Sequence, residues 1–235
     1  IFNMQKSFFL VFLFLIANLI THAQADCNTH IEYITVESEI LNTKRQLKLQ
    51  KPRNYDPESG KTYPLIFVFD ADYLFEPVAG NVDYLSYWEE IPKAFVVGVN
   101  QARTRLDDGK YGKFDYLPKD TGARFFDFIQ VEVLPFLKNE YNIGEYAVIV
   151  GHDYMANFMN LFLFSDRTDF QGFINLSPDI PEGLIPYIKD RFETSKEKFW
   201  YSLSTGTKDL DFIQRKTKKL YDELYDVENL NLQLS

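Results

Sequence analysis

Two hydrophobic rhythms alternate along the chain. From His30 to Glu37, Ile31, Tyr33 and Thr35 fall on one side and Glu32, Ile34 and Val36 on the other, the period of two that marks a strand. Arg45 to Leu49 repeats it, so the two segments read as an antiparallel entry to a sheet. Between this entry and the next apolar run, Pro52, Pro57 and Gly60 stand among charges, which makes Lys51 to Lys61 a surface loop. The rhythm then changes. Leu65 to Phe69 and Ala94 to Val99 are continuous apolar runs that end at Asp70 and Asn100, as expected of strands covered on both faces of a parallel sheet. Over Glu76 to Glu90, Val78, Val82, Leu85 and Trp88 keep to one helical face, and strand, helix and strand together predict a βαβ unit.

The same succession continues to the end. Phe125, Phe128, Ile129, Val133, Phe136 and Leu137 predict a long amphipathic helix, and Tyr146 to Val150 a strand. Helices are expected over Tyr154 to Phe164, Glu182 to Phe192 and Leu210 to Tyr225, and strands over Phe173 to Leu176, Phe199 to Leu203 and Leu230 to Leu234. The predicted fold class is α/β: a mostly parallel sheet with an antiparallel N-terminal hairpin and helices on both faces, a three-layer sandwich.

The start of the chain departs from this pattern. Lys6 is followed by the largely apolar run Phe8 to Ile20 and then by Ala23 and Ala25, the layout of a secretory signal peptide cleaved before Asp26. Residues 1–25 are therefore expected to be removed, leaving one domain over residues 26–235 and a secreted or periplasmic protein with no stable membrane insertion. Cys27 is the only cysteine, so no intrachain disulfide is available in that compartment. The formal charge of −9 argues against a nucleic-acid or anionic-membrane partner. Aromatic residues, 22 Phe and 15 Tyr among them, suit either a Phe-rich core or an aromatic-lined cleft.

Candidate chemistry concentrates where Val148-Ile149-Val150 runs into Gly151-His152-Asp153-Tyr154-Met155 and a helix. A Gly-x-nucleophile-x-Gly turn between strand and helix holds a nucleophile in a strained conformation at the top of a sheet. Here the first glycine is present, Met155 fills the second position, and Asp153 stands at the apex.

Together with Tyr63 to Asp72, Arg103-Thr104-Arg105, Phe125 to Pro135 and Phe170 to Pro178, this segment resembles a family of esterases in the α/β-hydrolase superfamily that includes esterase D-like and ferric-siderophore esterases. The resemblance runs from about Arg45 to the end. It implies an α/β-hydrolase fold and a small-molecule ester as ligand. It places the family's serine at Asp153, one oxyanion donor at Tyr154 N–H and a second near Ala71, and the triad acid at Asp209, with Asp211 as the second choice. No histidine corresponds to the family's base. His22 leaves with the signal, His30 lies in the first strand, and the ring of His152 is expected to diverge from the side chain of Asp153. Because the base of such folds follows the final strand, the chain is expected to be truncated at its C-terminus.

An aspartate at the apex sets a charge beside a hole meant for an oxyanion. The leading expectation is thus an esterase relative that is inactive or impaired. The alternatives are a non-catalytic ligand-binding pseudoenzyme and an Asp-nucleophile hydrolase of the epoxide hydrolase or dehalogenase type. Arg103 and Arg105 either hold an acidic substrate group or pair with Asp107 and Asp108. Asp70 and Asp72 read as loop caps, and Ser177-Pro178 as a turn. No phosphate loop, dinucleotide-binding glycine pattern, metal-ligand cluster or basic patch is present in the sequence, and no cofactor is implied.

Overall fold

In the computed structural model, which describes residues 31–167 and 169–235, the two alternating segments form the expected hairpin, β1 (Ile31–Ser38) and β2 (Thr43–Gln50). The continuous apolar runs form β3 (Tyr63–Val68) and β4 (Phe95–Val99). After them come β5 (Ile143–His152), β6 (Gly172–Leu176), β7 (Phe199–Ser204) and β8 (Leu230–Leu234). The sheet order is β1-β2-β4-β3-β5-β6-β7-β8. Only the β1–β2 and β2–β4 pairings are antiparallel, as the α/β-hydrolase resemblance implies. The signal peptide expected over residues 1–25 lies outside the described residues.

Register explains why β3 to β7 read as apolar runs. Leu49, Val97, Phe67, Ile149, Phe173 and Tyr201 line up as one row across six strands, and each is fully buried on one face. The next residues, Val68 and Val150, point to the other face and pack with Phe75, Ala79 and Val82. Each fully buried aromatic or aliphatic side chain contributes about 1.5–3 kcal/mol through removal of apolar surface from water. Most of the phenylalanines serve this core. Phe69, for example, contacts Phe125, Phe158 and Phe162 at 5.8–6.2 Å between ring centroids.

The helices are α1 (Phe75–Tyr87), the short α2 (Arg105–Asp108), α3 (Thr121–Asp127), α4 (Leu134–Glu140), α5 (Tyr154–Met159), α6 (Ile185–Thr194) and α7 (Asp211–Leu224). A wider π-helical stretch, Phe128–Val133, joins α3 to α4, so the predicted long helix is continuous but not uniformly α-helical. Trp88 departs from the expectation. It caps α1 rather than continuing its buried face, and it is 60% exposed. Strands β3 to β7 are parallel, so the loops that leave them share one edge of the sheet, where ligands of open α/β sheets bind.

Candidate functional site

At that edge, β5 ends on His152 and α5 begins on Tyr154, which leaves Asp153 alone to make the turn. Its φ of 51° and ψ of −118° lie in a region that costs a residue with a Cβ about 1–3 kcal/mol. Hydrogen bonds hold it there: Asp153 N–H donates to the Leu176 carbonyl at 2.9 Å, and Asn157 N–H donates to the Asp153 carbonyl at 3.2 Å. Gly151 is required because a Cβ there would come within 2.9 Å of Ala156 N and of the Met155 backbone. Met155, in the second glycine position, is fully buried. Room for it comes from Gly109, where a Cβ would lie 2.6 Å from Tyr154 Cε1 and 2.8 Å from Met155 Sδ.

The side chain of Asp153 is 50% exposed, and its Oδ2 lies 3.4 Å from both Nη1 and Nη2 of Arg105. Arg105 makes shorter bonds elsewhere: Nε donates to Asp70 Oδ1 at 2.8 Å and Nη2 to the His152 carbonyl at 3.0 Å. Asp70 is fully buried at φ 53°. Its amide donates to Gln101 Oε1, and its Oδ2 accepts from Tyr73 Oη at 3.0 Å. Burial pushes the Asp70 carboxyl above the ordinary range, against the opposing pull of Arg105 and Tyr73. The Tyr73 phenol is pushed up by its own burial and by Asp70, so it keeps its proton.

Arg105 therefore does not pair with Asp107 or Asp108. Asp108 is buried and bound by Arg45, whose Nη2 lies 2.6 Å from Oδ1, and by Thr104 Oγ1 at 2.7 Å. Those bonds pin α2, and with it the segment that carries Arg105. Arg103 is exposed and forms no ion pair among the described residues. Ala71, expected to supply an oxyanion donor, instead directs its N–H to the Val99 carbonyl at 3.1 Å. Closing the loop against β4 takes the proton that the hole would need. Tyr154 N–H, as the first amide of α5, has no acceptor within its helix.

Asp209 follows β7 and accepts from Ser177 Oγ at 2.6 Å and from Gly206 N–H at 2.8 Å. Those two bonds, with a smaller contribution from His152, hold its carboxyl below the ordinary range. Asp211 begins α7 and is exposed. His152, the one histidine among the described residues, turns its Nδ1 to Tyr73 Oη at 2.8 Å. Asp153, Arg105 and Tyr154 thus gather at the turn between β5 and α5, whereas Asp209 is held by Ser177 and Gly206. Tyr73, Gln101 and Ser177 were absent from the expected set, although the spacing of Tyr73 three residues after Asp70 is a local signal for that contact. A separate apolar groove of about 610 Å³ against α1 includes none of the expected site residues in its lining.

Solved structures share this fold. An uncharacterised protein from Capnocytophaga ochracea superposes with a TM-score of 0.78 at 22% identity, over 87% of this chain and 57% of that one. The BES protein from Bacillus cereus gives 0.73 at 22% identity, over 88% and 86%. The enterobactin esterase FES from Shigella flexneri gives 0.65 at 20% identity, over 87% and 53%. The chain thus spans 57% of the Capnocytophaga protein's length and 53% of the Shigella enzyme's. No curated protein matches its sequence. The family model described as "Putative esterase" matches residues 38–169, more than half of the chain, and the chain belongs to that family.

Proposed function

We propose that this esterase-family protein holds a small ester or a related ligand at the edge formed by the loops after β3 to β7, without serine-type turnover. The observation that carries this reading is Asp153 itself. A carboxylate stands where acyl transfer needs a hydroxyl, it faces Arg105, and the nearest imidazole is bonded to Tyr73 rather than directed at the apex. A negative charge there also repels a developing oxyanion. The contact with Arg105 weakens the carboxylate as an attacking group, which counts against an Asp nucleophile.

The test is hydrolysis of p-nitrophenyl acetate. The unmodified protein is expected to match the buffer rate, and Asp153→Ser alone is expected to stay there, because the one imidazole among the described residues is directed at Tyr73. Substantial turnover by the unmodified protein, lost in Asp153→Asn, would overturn the proposal and make Asp153 a nucleophile.

Export completes the reading. Among the described residues no helix is long and apolar enough to cross a membrane, and protein recovered from the periplasm or medium is expected to begin at Asp26. Recovery of an uncut chain there would remove that part.

A further inference from the structure

The hydroxyl of Tyr73 has one proton and two groups that could receive it, with the Arg105 guanidinium, a donor only, as a third polar neighbour. Asp70 Oδ2 lies 3.0 Å from it and His152 Nδ1 2.8 Å. An ionised carboxylate accepts only, and Asp70 Oδ1 already accepts from Arg105 Nε. If the Tyr73 proton went to His152, the second oxygen of Asp70 would face an oxygen lone pair inside the protein with no hydrogen between them. The proton therefore belongs to Asp70, and the 2.8 Å contact needs a proton from the imidazole.

A neutral imidazole carries one N–H. With that N–H on Nδ1, Nε2 is a bare acceptor, and it makes no hydrogen bond to any described residue. The ring stands edge-on to Tyr73, with centroids 5.8 Å apart. The other outward-facing group at this edge, the half-exposed Asp153 carboxylate, is also an acceptor. The Arg105 guanidinium, which an acidic ligand group would need, is engaged by Asp70, the His152 carbonyl and Asp153.

We infer that Asp70 and Tyr73 lock His152 in its Nδ1–H tautomer, and that the bare Nε2 receives the hydroxyl hydrogen of a neutral ligand. Asp70 and Tyr73 are positioning residues in this arrangement, and His152 is the binding residue. The inference rests on the ligand-binding reading for its second half only, since the tautomer is a property of the free protein.

Both halves are read by nitrogen-15 NMR of the imidazole rings in the full 235-residue chain at neutral pH, with His152 assigned by its loss in His152→Gln. The expected pattern has the proton on Nδ1, and Tyr73→Phe should move it to Nε2, because the partner that accepts from Nδ1 is gone. Phenol, a neutral hydroxyl donor, should then shift Nε2 in the unmodified protein, whereas benzoate should not.

An Nε2–H tautomer in the unmodified protein overturns the inference outright. So does a Tyr73→Phe variant that keeps the proton on Nδ1. If phenol perturbs the amides around Tyr154 and leaves Nε2 unchanged, the assignment of His152 as the binding residue is overturned and ligand binding stands. If neither probe perturbs the edge, the ligand-binding reading and the second half fall together while the tautomer is judged on its own.

Discussion

Asp70 and Asp153 follow neighbouring parallel strands, adopt positive φ angles of 53° and 51°, and face the same guanidinium. Their surroundings differ. Asp70 is fully buried and accepts from Arg105 at 2.8 Å and Tyr73 at 3.0 Å, while Asp153 is half-exposed and reaches Arg105 only at 3.4 Å. The buried aspartate organises the edge, since Arg105 and Tyr73 both take their positions from it. The exposed one sits at the apex of the turn between β5 and α5 yet has little hold on anything around it. Attraction between unit charges is strong where water is excluded and weak where it is not, so a shared partner gives the two carboxylates unequal weight.

Asp70→Ala strikes the heavier side of this contrast. It leaves Arg105 with the His152 carbonyl and one loose carboxylate and removes the acceptor of Tyr73, and breaking a buried pair in this way costs about 3–5 kcal/mol. Urea unfolding measures it, and a loss near that of an exposed pair, below about 1 kcal/mol, would mean that Asp153 replaces Asp70 as the anchor. Asp153→Gly tests the lighter side with the opposite sign. It gives up only a long, solvated contact and relieves backbone strain of about 1–3 kcal/mol, from which the greater freedom of an unfolded glycine subtracts about 0.4–1 kcal/mol, so a small net gain is expected. Destabilisation there would show that Asp153 holds the edge together after all.

A smaller effect concerns acid. Asp209 is held below the ordinary carboxylate value of 3.8, first by Ser177. A depressed carboxyl contributes stability that is present above its unfolded value and is lost as the pH falls through its folded value. Burial of Asp70 works in the reverse sense, so the Asp209 contribution is isolated by difference. The stability gap between the unmodified protein and Ser177→Ala should be constant near neutral pH and close below about pH 4. A gap that persists at the same size in acid would contradict this.

The strands and long helices were legible because each has a periodic or continuous apolar pattern. Val68 and Phe69 face opposite layers of core, and the uninterrupted run Leu65 to Phe69 records that directly. α2 was missed because four residues, Arg105–Asp108, carry too few positions to show a period. The sharp turn between β5 and α5 was legible from Gly151 and Asp153, since backbone conformation there depends on adjacent residues. The partners of Arg105 were not. Asp107 and Asp108 are its neighbours in sequence, whereas Asp70 is brought to it by the pairing of β3 with β4, and Arg45 claims Asp108 from β2. Ala71 looked like an oxyanion donor from its place after β3, but the direction of its N–H depends on how the loop closes on Val99.

The packing of Gly109 against Met155 also ties two distant positions together. Side chains at both positions would collide, and glycine at both would leave a hole beneath the loop that carries Arg105. Residue 155 can therefore be long only while residue 109 is short, and the two positions act as one packing unit. A serine at position 153 would change neither partner, so the fit beneath the turn is set independently of the side chain at its apex.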